Sequence, residues 1–217
     1  MSNKKDYKSI AGHGVDVAIF RADDLDRKVL AEIAAQPGIA VLDVGCGLGG
    51  QSLRMARAGA RVIGIDVIDV SERFAKTCVE YELKSEALDF NQLSLEQVGE
   101  HFLSASFGAA VVQRVLHYVP YEVARQFLVD LRRIVSGRLY ISVTGNGSAI
   151  ARYCPKCDCS IVERFGKLSS EGQDLFSITE PICIYSESEL RELLQEAGWH
   201  VEELWVSQFG NIKAVCA

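Results

Sequence analysis

Residues 41–52 read Val-Leu-Asp-Val-Gly-Cys-Gly-Leu-Gly-Gly-Gln-Ser, and this stretch decides the fold. The small and apolar residues at 39–42 predict a buried strand, and the run that begins at Ser52 has the character of a helix. Glycine adopts positive φ in a sharp turn and lets backbone N–H groups approach a ligand closely. The stretch therefore predicts a strand, a ligand-binding turn and a helix, with the turn built on Gly45, Gly47, Gly49 and Gly50.

A second apolar run, at 61–66, ends in the carboxylate of Asp66. Asp66 follows the first glycine by about 20 residues, and the glycines at 45, 47 and 50 satisfy the dinucleotide-binding fingerprint. A nicotinamide-dependent oxidoreductase is therefore one interpretation. Asp43 argues against it, because the strand before a nicotinamide-binding turn is normally apolar at that position. An acid at the tip of a neighbouring parallel strand can accept hydrogen bonds from a ribose.

The rest of the chain alternates strands and helices. A short strand at 85–88 leads to Asp89, a buried strand covers 107–113, and a long helix from Pro120 to about Val135 precedes a fifth strand at 138–144. A capped helix and two final strands that can pair antiparallel follow Tyr185. Such alternation favours a parallel sheet with helices on both faces.

With these residues in place, the chain resembles the class I S-adenosylmethionine-dependent methyltransferases over roughly residues 23–217, particularly the branch that acts on small molecules. The resemblance implies a Rossmann-like α/β fold with a mostly parallel seven-stranded sheet and an antiparallel final strand. It implies one methyltransferase domain over 1–217, with residues 1–22 as an N-terminal lid. Residues 145–180 interrupt the alternation and are expected to form an insertion that covers the substrate.

The resemblance also implies a cofactor, S-adenosyl-L-methionine, and a set of residues that bind it. Asp66 would hold both ribose hydroxyls, and Val67 would lie against the adenine face. Asp89 would accept a hydrogen bond from the adenine amino group, although it could equally cap the turn after its strand. The full set is Asp43, Gly45, Cys46, Gly47, Gly49, Asp66, Val67, Asp89, Phe90 and Gln113.

The fourth strand is followed by the candidate catalytic residues, His117 and Tyr118. Methyl transfer is an in-line displacement that mainly needs alignment, with a base when the nucleophile carries a proton. An imidazole suits that role at neutral pH, whereas the alternative is that His117 packs in a short helix and orients the loop. The residues expected to reach the substrate are Tyr7, His13, Arg21 and Arg114.

Three of the seven cysteines, Cys154, Cys157 and Cys159, are clustered in the insertion. They could bind zinc, but a closed structural zinc site needs four ligands, and the fourth would come from elsewhere, for example Cys183 or His13. A thiophilic substrate, a reversible disulfide and unremarkable loop thiols are the alternatives. The cluster also motivates a third functional reading, a non-catalytic S-adenosylmethionine-binding or metal-sensing module.

Composition limits the partners. The formal net charge is −6 and the isoelectric point is about 5.3, which argues against nucleic acid because phosphate neutralisation dominates such binding. No apolar run approaches the ~20 residues needed to span a bilayer, and the N-terminus lacks the apolar core of a secretory signal. A cytoplasmic protein with a small-molecule methyl acceptor is expected, and the sequence carries no signal for an oligomeric state.

Overall fold

The computed structural model describes residues 11–14, 18, 21–84 and 86–217. Its core is a seven-stranded sheet in the order β3-β2-β1-β4-β5-β7-β6. The strands are β1 Ala40–Val44, β2 Arg61–Asp66, β3 Leu88–Gln92, β4 Phe107–Gln113, β5 Val135–Thr144, β6 Val201–Val206 and β7 Asn211–Cys216.

Strand direction agrees with the predicted architecture. The pairs β1 with β2, β1 with β4, β2 with β3 and β4 with β5 are parallel, whereas β7 runs antiparallel to both β5 and β6. The mostly parallel seven-stranded sheet with an antiparallel final strand is thereby confirmed. Strand order reverses between β1 and β4, and this switch point is where open α/β sheets bind their ligands.

Helices cover both faces of the sheet and separate two apolar layers. Helices α4, α5 and α7 pack on one layer, around Phe127, and α1, α2 and α3 pack on the other, around Phe74. The helices are α1 Asp24–Ala35, α2 Gly50–Arg57, α3 Ser71–Glu80, α4 Val98–His101, α5 Tyr121–Ile134, α6 Ser170–Phe176 and α7 Glu187–Glu196. Short 3-10 turns cover Leu95–Gln97, Leu116–Tyr118 and Ala149–Tyr153.

Capping residues set several of these helix boundaries. Asp23 and Asp26 form a reciprocal capping box that starts α1, and Ser186 with Glu189 does the same for α7. Each box satisfies backbone N–H groups that the first turn of a helix leaves without partners. The two boxes therefore set where α1 and α7 begin.

Two predicted boundaries were wrong. Strand β3 begins at Leu88 and ends at Gln92, four residues beyond the predicted end, because this edge strand exposes Asp89 and Gln92 and does not read as an apolar run. Strand β5 begins at Val135, three residues before the predicted start, and Gly137 lies inside it. A Cβ there would lie 2.1 Å from the carbonyl oxygen of Gly108, so close strand packing explains that glycine.

The packing of α3 on the sheet gives a stability prediction. A Cβ on Gly64 would lie 2.8 Å from the ring of the buried Phe74 and 3.0 Å from Sγ of Cys46. We expect Gly64→Ala to lower the free energy of unfolding by about 1–3 kcal/mol, the usual cost of overpacking a core. Urea denaturation measures it, with Gly147→Ala as control because a Cβ at Gly147 meets nothing within 4 Å. Equal midpoints for the two variants would contradict this packing.

Candidate active site

A cavity of about 730 Å³ lies at the carboxyl ends of β1, β2 and β4. This volume is typical of a pocket for a small-molecule ligand. The glycine turn contributes Gly45 and Gly47, β2 contributes Asp66, and Val67 follows it. Gln113 at the end of β4 and Leu93 to Leu95 after β3 complete this side of the cavity.

Hydrogen bonds fix the glycine turn against the end of β2. The N–H groups of Gly45 and Cys46 donate to the carbonyl oxygen of Ile65 at 2.8 and 3.0 Å. Asp66 accepts from Gly47 N at 2.9 Å through Oδ2 and from Ile68 N at 3.0 Å through Oδ1. Gly45 and Gly47 have φ of +63° and +53°, which explains why glycine is required at both positions. The carboxylate of Asp66 is therefore held in one orientation beside the cavity.

The start of α1 closes a second wall of the cavity, which the sequence analysis did not place there. Asp26 is 3% exposed and lines the cavity. Gln113 Nε2 donates to Oδ1 of Asp26, and Arg54 lies 3.3 Å from Oδ2. Burial raises the pKa of Asp26. The signal in the sequence is the cluster of acids Asp23, Asp24 and Asp26, which lies outside the glycine and strand motifs.

Strand β7 contributes a buried cation, Lys213, that the sequence analysis also missed. Its ammonium pairs with the carboxylates of Asp23 and Asp24, and Trp205 Nε1 donates to Asp24 Oδ2 at 2.7 Å. Burial raises the pKa of Asp24, but the hydrogen bonds from Lys213 and Trp205 outweigh it and lower the value to about 2. Asp24 is therefore ionised at neutral pH, and this part of the wall is internally paired.

Three residues predicted to bind the cofactor lie away from the cavity. Asp43 is buried and accepts a hydrogen bond from the hydroxyl of Ser52. The side chain of Cys46 packs in the core. A Cβ on Gly49 would lie 2.7 Å from the ring of Phe74, so this glycine permits packing of α3. None of the three is among the residues that line the cavity.

The predicted adenine contacts are also corrected. Asp89 was placed at the end of β3, but it is the second residue of that strand and pairs in register with Ile63. Its carboxylate is exposed and accepts from Phe90 N. The ring of Phe90 packs against Phe74 with centroids 5.2 Å apart. Neither Asp89 nor Phe90 lines the cavity, because β3 continues past them to Gln92.

The predicted base, His117, lies behind the cavity wall. It is fully buried, does not line the cavity, and finds no hydrogen-bond partner for either ring nitrogen among the described residues. Burial, with the charges of Arg114 and His13, lowers its pKa well below 6.5. An imidazole that does not reach the ligand space is not in position to take a proton from a bound substrate. The position of His117 favours the alternative interpretation, in which it packs in the short turn.

Tyr118, the other predicted catalytic residue, does line the cavity. Its hydroxyl donates to the carbonyl oxygen of His13, and the two rings meet edge to face with centroids 4.7 Å apart. Burial raises the pKa of the Tyr118 hydroxyl, so it is a donor at neutral pH. The structure therefore brings Tyr118 and His13 together in the cavity wall.

The described part of the N-terminal segment also lies at the cavity. His13, Gly14, Ala18 and Arg21 line it, and Arg21 sits over the ring of Phe209 at 5.6 Å. Tyr7 lies outside the described residues. No residue from 145–180 lines the cavity. That insertion instead supports the segment 11–14 through a β-bridge between His13 and Ile178 and a hydrogen bond from Gly14 N to Ser177 O.

The cysteine cluster does not form a metal site. Cys154 is buried, Cys157 is half-buried and Cys159 is exposed, and all three are free thiols. Burial and the neighbouring Cys154 raise the pKa of Cys157, which disfavours the thiolate that zinc requires. Across the part of the chain that the structure describes, no group of three or more His, Cys, Asp or Glu side chains could hold a metal ion. The zinc prediction is not supported.

Within residues 11–14, 18, 21–84 and 86–217, every helix is too short or too polar to cross a bilayer.

Comparison with known proteins finds similarity to methyltransferases. The family model for a methyltransferase domain matches residues 42–141. The ubiquinone biosynthesis O-methyltransferase of Hahella chejuensis is 38% identical over 102 residues, which cover 46% of this chain and 39% of that protein. The O-methyltransferase resE of Aspergillus sclerotiorum is 27% identical over 199 residues, which cover 88% of this chain and 66% of that protein. The chain thus spans less than two thirds of the length of either relative.

A solved structure shares the fold. The 1,6-didemethyltoxoflavin-N1-methyltransferase of Burkholderia thailandensis, with 1,6-didemethyltoxoflavin and S-adenosylhomocysteine bound, superposes with a TM-score of 0.64 at 19% identity. The match covers 89% of this chain and 77% of that one.

The glycine turn and the acid-tipped second strand lie at the switch point of this sheet, where Rossmann-like folds bind their ligands. Residues 42–141 thus match a methyltransferase domain, and the chain shares the fold of a solved methyltransferase.

The burial of His117 predicts a pH dependence of stability. Its pKa is lowered in the folded protein, so between that value and 6.5 the unfolded chain binds a proton that the folded chain does not. We expect the free energy of unfolding to fall as the pH drops below 6.5, by at most about 1.4 kcal/mol per pH unit from this residue. Urea denaturation at several pH values should show a shallower slope for His117→Leu.

The exposed His101 supplies the control, since His101→Gln should leave the slope between pH 6.5 and 5.5 unchanged. A slope that is the same in His117→Leu and the unsubstituted protein would contradict the buried, neutral state of His117.

Proposed function

We propose that this protein transfers a methyl group from S-adenosylmethionine to a small-molecule acceptor bound in the cavity. The observation that carries the proposal is the fixed carboxylate of Asp66 beside the glycine turn. Each of its oxygens accepts one backbone N–H and keeps lone-pair capacity for a ribose hydroxyl. Gly45 and Gly47 line the cavity next to it and leave room for the amino-acid arm of the cofactor.

The adenine ring belongs between the segment after β2 and the segment after β3. Val67 is 53% exposed and lines the cavity, so it offers an apolar face that is covered on binding. Leu93, Ser94 and Leu95 line the cavity opposite and take over the role first expected of Asp89 and Phe90. This placement runs the cofactor from β1 toward β3 and directs its reactive end toward β4.

The bound cofactor supplies an electrophilic methyl group on a sulfonium. A lone pair of the acceptor forms the new bond to the methyl carbon while the carbon–sulfur bond breaks and its electron pair stays on sulfur. The walls of the cavity contribute alignment. His13 is the imidazole that lines the cavity, and it replaces His117 as the group that takes a proton from a protonated acceptor.

The acceptor side of the cavity favours a small, partly apolar molecule. Val119, Trp205 and Phe209 line it, and the cavity of about 730 Å³ has space for a ligand of drug-like size beside the charged groups. The relatives' names refer to ubiquinone biosynthesis and to 1,6-didemethyltoxoflavin, which are both in the small-molecule class. The net charge of −6 also favours such an acceptor over nucleic acid. Seven free cysteines support a reducing compartment, the cytoplasm.

Calorimetric titration with S-adenosylhomocysteine tests the cofactor site. We expect the protein to bind it and not NADH, and Asp66→Ala to weaken binding at least about 100-fold, because two charge-assisted hydrogen bonds of about 1.5–3 kcal/mol each are lost. Asp89→Ala is the matched control, since this exposed carboxylate is outside the cavity and its loss should leave the affinity unchanged.

The two aspartates make the outcome decisive. Loss of affinity in Asp89→Ala with retention in Asp66→Ala would contradict the strand alignment, and binding of NADH alone would contradict the cofactor. Because Asp66 also holds the glycine turn, the thermal midpoint of Asp66→Ala without ligand separates a loosened turn from a lost ribose contact. Release of S-adenosylhomocysteine on incubation with a panel of small acceptors then tests turnover.

A further inference from the structure

Arg114 is a cation in the cavity wall whose charge is not matched by the protein. It follows directly on β4, is partly buried, and lines the cavity beside Tyr118 and Val119. Its Nε is buried without a hydrogen-bond partner among the described residues, and no described carboxylate forms an ion pair with it. The buried Nε has lost its hydration without a replacement, and an anion bound in the cavity would supply the guanidinium with the partner that the protein does not.

The acids at the start of α1 already have partners. Lys213 pairs with Asp23 and Asp24, and Asp26 is held by Arg54 and Gln113. The acids in this wall are therefore not partners for Arg114. Two further cavity arginines, Arg21 and Arg27, are exposed to solvent.

The backbone at Arg114, which lines the cavity, is held in a strained conformation. Its φ is +57°, in the left-handed region that non-glycine residues rarely adopt, and its N–H donates to Ser142 O at 2.8 Å. Strain of this kind persists where the surrounding structure over-determines it, and it is concentrated at ligand sites. The positive charge of Arg114 is close enough to contribute a lowering of the pKa of both His117 and Tyr118, in the 3-10 turn that follows.

We propose that the methyl acceptor carries an oxyanion, a carboxylate or a phenolate, and that Arg114 binds it. This inference rests on the proposed function and adds the chemical class of the acceptor. A guanidinium presents a planar fork of donors that matches such an oxyanion with two hydrogen bonds. His13 lines the same part of the cavity, since its ring contacts Tyr118, and it can take the proton of an acidic hydroxyl that becomes the bound anion.

The position of Arg114 favours the acceptor over the cofactor as the source of the oxyanion. The cofactor site runs from the glycine turn through Asp66 to Leu93, that is from β1 to the end of β3. Arg114 ends β4, on the opposite side of β1 in the sheet. An acceptor must approach the reactive end of the cofactor from this side, where it meets Arg114, Tyr118 and His13.

The test uses three probes of one shape on the complex with S-adenosylhomocysteine. These are 4-nitrobenzoate, 4-nitrophenolate and the neutral 4-nitroanisole, titrated at a pH at which both acids are ionised. We expect at least one anion to bind about tenfold more tightly than 4-nitroanisole, which corresponds to about 1.4 kcal/mol. Arg114→Gln should abolish this preference, and Arg114→Lys should keep part of it, because the charge remains and the fork is lost.

Two controls separate a direct contact from other effects. Arg191→Gln removes the same charge from an exposed position on α7 outside the cavity and should leave the preference intact. Arg114→Gln should bind S-adenosylhomocysteine and 5′-methylthioadenosine, which lacks the amino-acid arm, as tightly as the unsubstituted protein does. Retained binding of both also shows that the variant is folded.

Three results would overturn the proposal. The first is equal binding of anionic and neutral probes, and the second is no binding of either anion. The third is a loss of affinity for S-adenosylhomocysteine but not for 5′-methylthioadenosine in Arg114→Gln, which would assign the guanidinium to the cofactor's own carboxylate. All three leave the proposed function standing, whereas failure of the unsubstituted protein to bind S-adenosylhomocysteine would remove both.

Discussion

Three N–H groups of the glycine turn bond to the end of β2, and the rest of the site depends on this contact. Gly45 and Cys46 donate to Ile65 O, and Gly47 donates to the carboxylate of Asp66. Asp66 thus has a structural and a binding role at once. Because the carboxylate that orients the turn also faces the ligand space, the cofactor site is largely formed before any ligand arrives, which lowers the ordering cost of binding.

Small residues behind the turn make this contact sterically possible. A Cβ on either Gly49 or Gly64 would meet the ring of Phe74 at less than 3 Å, so α3 can approach the sheet only because both positions are glycine. A glycine pattern of this kind serves two purposes that sequence alone does not separate. Gly45 and Gly47 line the ligand space. Gly49 faces the core, and the side chain of Cys46 also packs in the core.

What the sequence predicts well are elements buried on both faces. The central strands β1, β2 and β4 read as apolar runs because helices cover them, and their bounds are correct to within two residues. The edge strand β3 exposes Asp89 and Gln92, so its end was misplaced, and the residues predicted to contact adenine lie within the strand. Asp26 and Lys213 line the cavity because of tertiary contacts. Asp26 on α1 contacts Gln113 at the end of β4, and Lys213 on β7 contacts Asp23, which is 190 positions away in the sequence. No local sequence pattern reveals contacts of this range.

Backbone turns after β4 orient its side chains in a way that the sequence does not reveal. The run Arg114 to Tyr118 places chemistry-bearing side chains together, but the left-handed turn at Arg114 and the 3-10 turn after it decide which of them face the ligand. His117 turns inward and stays neutral, so it adds no charge to the cavity. The guanidinium of Arg114 then remains the unmatched charge in this part of the wall. A binding site tends toward neutrality when filled, because an uncompensated charge loses its hydration on closure. This is the physical reason why the proposed acceptor carries its oxyanion where it meets Arg114.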